Sequence, residues 1–371
     1  MAPAWLPLAG VRVVDFSMFV PGPFCSSILA DLGADVIKLE PPRGDPGRSY
    51  VPVQFHTENR NKRSLAIDLK HSASADVIRR LAEKTDVAIE GFRPGVARRL
   101  GIDYPSLRRH NARLVYCSIS GYGQTGPWRE RPGHDVNYVA AAGGLAFPGG
   151  WLKPPARSSL PVADMAGGSF AAIAILAALR EGKGAYLDLS LFEAAFFMCA
   201  MRHGLDPQAD PRAHIFPVND VFECADGARL TLGILEEHFW QSFVKLVPEL
   251  GDERFSTDAS RRKHGDALSS LLERIFKTRT AAEWQRLLEA NDIPVDLCVT
   301  PGEAARHPQL VERQALERGH AKFPVWANGA RGAAIRSGTP KLGEHTREIL
   351  VELGFDDGAI AELKGVRAIF L

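Results

Sequence analysis

Residues 11–40 read VRVVDFSMFVPGPFCSSILADLGADVIKLE, and this stretch decides the fold class. Residues 11–16 form a short apolar run rich in β-branched residues, and a turn-forming Pro-Gly-Pro follows at residues 21–23. Residues 24–32 are predicted as a helix that Gly33 ends, and residues 35–39 as a second strand. A strand, a helix and a strand within about 30 residues form the βαβ unit of a parallel sheet.

The same alternation continues along the chain. Further strands are predicted at residues 64–69, 87–90, 114–119 and 185–191, and helices at 74–84, 104–111, 167–179 and 192–201. Alternation of this kind indicates a doubly wound sheet, whose ligands bind at the carboxyl ends of its strands.

A second, smaller domain is predicted after residues 204–217, where three prolines and several charges are typical of a linker. A hairpin turning at Asp226-Gly227 is expected there, and then helices, one of them starting with a capping box of Thr280 and Glu283. The predicted fold is α/β, with a Rossmann-like large domain at residues 1–205 plus 328–371 and an α+β domain at 206–327.

Composition excludes several classes of function. Lys+Arg 45 against Asp+Glu 44 leaves a net charge of +1, so no nucleic-acid partner is expected. The longest apolar run, residues 170–179, is too short to span a bilayer. Five scattered cysteines without a C-x-x-C pair favour reduced thiols over disulfides or a zinc site. We expect a cytoplasmic protein without a metal.

The first strand-to-helix turn lacks the glycines of a nucleotide-binding motif. It reads SMFVPGPF at residues 17–24, not G-x-G-x-x-G, so a nicotinamide enzyme is not expected. The sequence also contains no G-x-x-x-x-G-K-[ST] and no G-x-S-x-G, which excludes the usual phosphate loop and the usual hydrolase elbow.

Two basic segments suggest phosphate binding. Arg60, Lys62 and Arg63 precede a predicted strand, and Lys70 follows it. They form either a solvated basic loop or a phosphate clamp. Arg93, in the segment FRPG, lies at the carboxyl end of another strand, where ligands gather.

Two polar segments are candidates for acid/base chemistry. His134, in GHDVNY, is either a helix cap or an acid/base group. If His134 is a cap, Asp135 would interact favourably with the dipole of the same helix. Asp164 precedes the small-residue helix and is either its N-cap or a base or nucleophile. We expect the helix dipole to keep Asp164 ionised, and Gly167 and Gly168 to leave room for a substrate.

Seven segments in fixed order carry a family resemblance: DFSMFVPGP, LADLGADVIKLE, NRNKRSLAIDLK, FRPGV, SGYGQTGPW, GHDVNY and PVADMAGG. Together they resemble the family III CoA transferases, of the CaiB/BaiF type, and their α-methylacyl-CoA racemase relatives. The likeness covers most of residues 8–200 and continues more weakly to the C-terminus.

The resemblance implies an acyl-CoA substrate, no separate cofactor and an interlocked homodimer with no membrane partner. It implies racemisation of a 2-methylacyl-CoA, in which His134 and Asp164 act on opposite faces of the α-carbon and Glu236 orients His134. The implied CoA contacts are Ile67, Asp68, Leu69, Lys70, Arg93, Gly133, Asp135 and Tyr138, with Arg60, Lys62 and Arg63 near the phosphates. The backbone at the start of the Gly167 helix would stabilise the enolate oxygen. CoA transfer with Asp164 as nucleophile stays open, as does an inactive CoA-binding paralogue.

Overall fold

Six parallel strands form the centre of the first structural unit in the computed structural model, which describes residues 5–371. These strands are β1 (Arg12–Asp15), β2 (Asp35–Glu40), β3 (Lys62–Ile67), β4 (Val87–Glu90), β5 (Val115–Ser120) and β6 (Ala185–Ser190). Their spatial order is β3-β2-β1-β4-β5-β6, which is the Rossmann order. The predicted doubly wound sheet is confirmed.

Burial explains why these segments form central strands. All residues of β4 and β5 are buried, and in β1 and β2 only the first residue is partly exposed. Helices therefore cover both faces of the sheet, as parallel sheets require. The strand order reverses between β1 and β4, which opens a crevice at their carboxyl ends.

Between residues 5 and 203, nine helices connect or flank these strands. In chain order they are α1 (Pro21–Asp31), α2 (Gly47–Tyr50), α3 (Pro52–Glu58), α4 (Ser74–Glu83), α5 (Val96–Arg99), α6 (Tyr104–Arg108), α7 (Asp135–Ala141), α8 (Val162–Glu181) and α9 (Leu191–His203). Of the described helices, only α8 is long and apolar enough to cross a membrane, which by itself is weak evidence because core helices pass the same test.

The second unit comprises residues 143–158 and 199–307. Its antiparallel sheet has the order β7-β8-β9, formed by β7 (Asn219–Glu223), β8 (Arg229–Gly233) and β9 (Val295–Leu297). Its helices are α10 (Glu237–Leu246), α11 (Asp258–Lys263), α12 (Gly265–Phe276), α13 (Ala281–Glu289) and α14 (Pro301–Ala304), with 3₁₀ turns at Pro248–Gly251 and Glu253–Phe255. The predicted hairpin and the Thr280–Glu283 capping box are both present.

The chain then returns to the first unit. It forms α15 (Pro308–Glu312), two small hairpins of β10 (Leu316–Glu317) with β11 (His320–Ala321) and β12 (Trp326–Ala327) with β13 (Ala330–Arg331), then α16 (Thr346–Glu352), α17 (Asp357–Gly365) and β14 (Ile369–Phe370). Strand β14 pairs antiparallel with β3 at the sheet edge.

The division into units differs from the predicted one, because residues 143–158 belong to the second unit and 308–327 to the first. The main part of the second unit also begins at residue 199 and not at 206. The indole of Trp151 explains the first difference. It is 5% exposed, its Nε1 donates to Asp266 Oδ1 at 2.9 Å, and its backbone N–H donates to Asp220 Oδ2 at 2.9 Å. Glu317 explains the second, since its carboxylate accepts the backbone N–H of Ile335.

Candidate active site

A cavity of about 520 Å³ lies at the carboxyl ends of β1 to β4. Its lining is mostly apolar, with Lys70 and Arg99 as its cations: Phe16, Met18, Leu39, Pro41, Ile67, Asp68, Leu69, Lys70, Phe92, Val96, Arg99 and Leu100. A concave, mainly apolar cavity with a few charged groups is typical of a small-molecule site.

The cavity brings together four of the predicted contact residues, Ile67, Asp68, Leu69 and Lys70. The sequence reasoning missed Arg99, the last residue of α5. The feature that could have indicated Arg99 is its position about one helical turn after Gly95, the glycine with a positive φ that ends the FRPG segment. Neither Lys70 nor Arg99 has an ion pair with a carboxylate among residues 5–371, so both charges face the solvent or a ligand.

Arg60, Lys62 and Arg63 were predicted to lie near phosphates, but their partners are carboxylates of the protein. Arg60 pairs with Asp31 at 2.5 Å, and 9% of its side chain is exposed. Lys62 is fully buried and its Nζ lies 3.2 Å from Asp15 Oδ2. A buried cation needs a compensating carboxylate, and each of these two has one. These two ion pairs lie in the protein interior, so the interpretation of Arg60 and Lys62 as a phosphate clamp is corrected.

Arg63 is likewise committed to the protein. Its guanidinium bonds Asp35 at 2.7 Å and Glu352 at 2.7 Å, and it also pairs with Glu348 at 2.9 Å. These bonds tie β3 to β2 and to α16. A free phosphate would have to displace three carboxylates, so Arg63 is a structural residue here.

His134 and Asp164 lie at adjoining helix N-termini. His134 directly precedes α7, and its backbone N–H donates to Asn137 Oδ1 at 3.0 Å, while its side chain is exposed. The next residue, Asp135, accepts the backbone N–H groups of Ala163 at 2.7 Å and Asp164 at 3.2 Å. Asp135 therefore caps α8 rather than its own helix, and this bond holds the two candidate groups near each other.

Asp164 occupies the first turn of α8, with a carboxyl that is largely shielded from solvent. Burial, and after it the negative charge of Asp135, raise the pKa of Asp164 from 3.8 to about 7. Burial therefore opposes the ionisation of Asp164 that was expected from the helix dipole. A carboxyl with a pKa near 7 can both accept and donate a proton at neutral pH.

Gly167 and Gly168 serve helix packing. The helix begins at Val162, so both glycines lie inside it and both are buried. A Cβ on Gly168 would stand 2.7 Å from the Pro21 carbonyl oxygen and 2.9 Å from the Phe24 ring. The prediction that these glycines leave room for a substrate is therefore wrong. The helix starts at Val162 and not at Gly167, so the backbone at Gly167 is also not the helix start that was expected to stabilise an enolate oxygen.

Tyr138 and Gly133 brace the loop before α7. The Tyr138 hydroxyl donates to the Gly133 carbonyl at 2.6 Å, and its ring fills the space where Gly133 and Gly121 lack side chains. Burial, and after it the charge of Asp164, raise the pKa of Tyr138 to about 12, whereas Arg93 lowers it. Arg93, which lies three residues after β4, is exposed.

A model of CoA-transferase family III matches residues 8–346. The chain belongs to this family. It is 34% identical to an acetyl-CoA:oxalate CoA-transferase of Acetobacter aceti, over 91% of this chain and 93% of the relative. It is 31% identical to the human α-methylacyl-CoA racemase, over 98% of both chains.

Solved structures agree with this assignment. A CaiB/BaiF family protein from Brucella suis superposes with a TM-score of 0.83 at 30% identity, covering 94% of this chain and 99% of that one. Family III members are enzymes, and the two relatives are a transferase and a racemase. The family resemblance read from the seven segments is confirmed.

Glu236, the third residue that the resemblance assigned to catalysis in this family, belongs to the second unit. It is the N-cap residue of α10 and is exposed, and its side chain makes no capping hydrogen bond. Its neighbour Glu237 pairs with Arg261 at 2.5 Å. The orienting role of Glu236 stays a prediction.

Proposed function

We propose that the protein is a racemase that inverts the α-carbon of 2-methylacyl-CoA thioesters. The observation that carries this proposal is the state of Asp164, whose pKa is raised to about 7 beside the N-terminus that bears His134. A two-base racemase needs each group to be an acid in one direction and a base in the other. A carboxyl with a pKa near 7, together with a histidine at the adjoining helix N-terminus, would meet that need.

The chemistry assigns one face of the substrate to each group. One group removes the α-proton, the electrons pass to the thioester oxygen as an enolate, and the other group returns a proton to the opposite face. Ionised Asp164 serves as base when His134 is protonated, and the roles reverse for the other epimer. No separate cofactor is required for this proton transfer.

The cavity at the carboxyl ends of β1 to β4 is proposed to hold the CoA moiety. Its apolar walls suit a nucleoside, and its cations Lys70 and Arg99 suit phosphates. Arg93, close enough to Tyr138 to lower the pKa of that residue, would lie between the phosphates and Asp164.

CoA transfer to a free carboxylate is the second candidate. The transferase of Acetobacter aceti, 34% identical over 91% of this chain, favours it. In that reaction Asp164 would attack the thioester carbonyl, and the CoA thiolate would leave. The attack requires an ionised carboxylate, which a pKa near 7 makes scarcer below neutral pH.

A homodimer and a cytoplasmic location belong to the same proposal. Helices α8 and α9 expose large apolar side chains, among them Ile173 at 61% and Phe197 at 55%, and such patches support a protein partner. The five cysteines are free thiols, which supports a reducing compartment. Light scattering of the purified chain measures the dimer directly.

Isotope exchange tests the proposed reaction. The protein is incubated with a (2R)-2-methylacyl-CoA in D2O, and α-deuterium incorporation and epimer formation are followed. We expect exchange that His134→Ala and Asp164→Ala each abolish. His110→Ala is the matched control, because this exposed histidine lies before β5, on the side of the amino ends of the strands. If the His134→Ala variant still exchanges acyl groups with added carboxylates, the racemase proposal is wrong and CoA transfer takes its place. If the protein binds CoA but catalyses neither reaction, both proposals are wrong.

A further inference from the structure

Glu90, the last residue of β4, is a buried carboxyl for which the proposed reaction has no role so far. Only 3% of it is exposed. Its Oε2 accepts the backbone N–H of Phe92 at 2.7 Å, and its Oε1 accepts the hydroxyl of Ser118 on β5. No cation within residues 5–371 forms an ion pair with Glu90. A buried carboxyl without a cation depends on its hydrogen bonds, so both donors are costly to move.

The first donor belongs to the wall of the cavity at the carboxyl ends of β1 to β4. Strand β4 ends at Glu90, and Phe92 lies two residues beyond it, where the sheet no longer holds the backbone. The side chain of Phe92 lines the cavity and packs against the core of the first unit. The bond from its N–H to Glu90 therefore fixes a wall that is proposed to contact CoA.

The second donor leads to the loop after β5, residues 121–128. Ser118 is 1% exposed, and its Oγ, which donates to Glu90, also accepts a hydrogen bond from Gln124 Nε2 at 2.8 Å. A hydroxyl can donate one hydrogen bond and accept another at the same time. The backbone N–H of Gln124 in turn donates to the Asp188 carboxylate at 3.1 Å. Glu90, Ser118 and Gln124 therefore form a continuous chain of hydrogen bonds that ends in loop 121–128.

Loop 121–128 packs against the helix that follows His134. The ring of Tyr122 lies edge-on to that of Tyr138 on α7, with 5.2 Å between the ring centroids. The Tyr138 hydroxyl donates to the carbonyl of Gly133 at 2.6 Å, and Gly133 directly precedes His134. A displacement of the loop would therefore reach the backbone of His134 through two direct contacts.

We propose that Glu90 is a positioning residue of the active site, whose carboxylate holds Phe92 with one oxygen and, through Ser118 and Gln124, holds loop 121–128 with the other. The benefit for catalysis rests on the proposed racemase function, which needs His134 and the bound CoA thioester fixed relative to each other. The link between the cavity wall and the loop does not depend on which reaction the protein catalyses.

Trp128, at the end of loop 121–128, tests the link without substrate, because its ring lies 5.4 Å from that of Tyr122 between centroids. The protein is labelled with 5-fluorotryptophan, and the Trp128 signal is assigned by its loss in Trp128→Phe. Spectra are recorded at pH 8, above the pKa of about 7 to which burial raises Glu90. Ser118→Ala removes the hydroxyl in the middle of the chain, so we expect the Trp128 ¹⁹F signal to shift or broaden.

Glu90→Gln provides a second variant if Ser118→Ala does not fold. Its amide oxygen can still accept the Phe92 N–H, but its NH₂ group cannot accept the Ser118 hydroxyl. We expect this variant to move the Trp128 signal as well. Because both residues act through one chain, the double variant should move it no further than the larger single change. An unchanged Trp128 signal in either single variant, or additive changes in the double variant, would overturn the proposal.

Ser64→Ala is the matched control. Ser64 on β3 is also a buried serine whose hydroxyl donates, at 2.7 Å, to the glutamate that ends the neighbouring parallel strand, Glu40 of β2. It lies in the other half of the sheet, so the Trp128 signal should stay in place. An equal change in Ser64→Ala and Ser118→Ala would mean a general loosening of the sheet and would also overturn the proposal.

Deuterium exchange at the α-carbon tests the consequence for catalysis. Ser118→Ala should lower the turnover rate about tenfold and change KM for the acyl-CoA by less than about twofold, because the bond from Phe92 to Glu90 stays in place. An unchanged turnover rate in a variant whose Trp128 signal has moved would overturn the positioning role. A wild type that shows no exchange, together with the expected changes of the Trp128 signal, would refute the racemase alone.

Discussion

Asp164→Asn is expected to stabilise the protein above neutral pH although it removes a proposed catalytic group. The folded protein holds this carboxyl where burial, and after it Asp135, raise its pKa from 3.8 to about 7. Asparagine has nearly the same shape and no charge to desolvate. The gain should therefore appear only where the wild-type carboxyl is ionised, as expected for a group kept for function at the expense of stability.

The sign and size follow from proton linkage. Between pH 3.8 and about 7 the folded state binds more protons at Asp164 than the unfolded state does, so the stability of the wild type falls as pH rises through that window. At about 1.4 kcal/mol for each pH unit, the full difference is about 4 kcal/mol. The side chain keeps some solvent contact, so we expect about 1–3 kcal/mol at pH 8 and almost nothing at pH 4.

Urea unfolding at pH 4, 6 and 8 measures this difference, with hydrogen exchange of the α8 amides to identify the transition of the first unit. The melting temperature at pH 8 should rise by about 2–4 °C for each kcal/mol. Asp258→Asn is the control, since Asp258 also stands in the first turn of a helix but its side chain is 61% exposed. A stability difference between Asp164→Asn and the wild type that is equal at pH 4 and pH 8 would refute the reasoning.

Three further substitutions test the packing and the cavity. Gly168→Ala should lower the free energy of unfolding by about 1–3 kcal/mol because its Cβ would meet the Pro21 carbonyl at 2.7 Å, whereas Gly365→Ala, with nothing within 4 Å, should not. Lys70→Ala should weaken CoA binding by about 3–10-fold, less so at high salt, as measured by calorimetry. Arg60→Ala should lower the free energy of unfolding by about 3–5 kcal/mol, since it leaves the buried Asp31 carboxylate without its ion-pair partner and with the Asn61 amide as its remaining side-chain donor.

The features that the sequence predicts well are those with local causes. Residues 11–40 carry the strand, turn and helix signals of one βαβ unit within a short window, and the structure has β1, α1 and β2 there. The capping box at Thr280 and Glu283 is equally local, because both partners lie within one helical turn. The hairpin turn at Asp226-Gly227 follows the same rule.

The misread features depend on partners that are distant in sequence. Nothing near Arg60 in the chain indicates that Asp31 will neutralise it, or that Glu352 will bond Arg63 across 289 positions. A run of cations looks like a ligand site until its carboxylates are known. Asp135 was expected to serve its own helix for the same reason, since its real bond to the start of α8 spans 28 positions.

Asp135→Asn separates the two candidate reactions because the transferase uses only the ionised form of Asp164, whereas the racemase also needs the protonated form. The amide keeps an oxygen for the backbone N–H groups of Ala163 and Asp164, and it removes the charge that helps to raise the pKa of Asp164 to about 7. If that pKa falls to about 6, the ionised fraction at pH 6 rises from about one-tenth to about one-half.

A nucleophilic transferase would then gain about fivefold in the acylation rate at pH 6, because only the ionised carboxylate attacks. A two-base racemase would instead lose rate above pH 7, where the protonated form of Asp164 becomes scarce and the acid is missing. Pre-steady-state acyl transfer and α-deuterium exchange, both measured from pH 5 to 9, distinguish these outcomes. A gain in exchange above pH 7 would contradict the proton-shuttle role of Asp164, whatever the transferase assay shows.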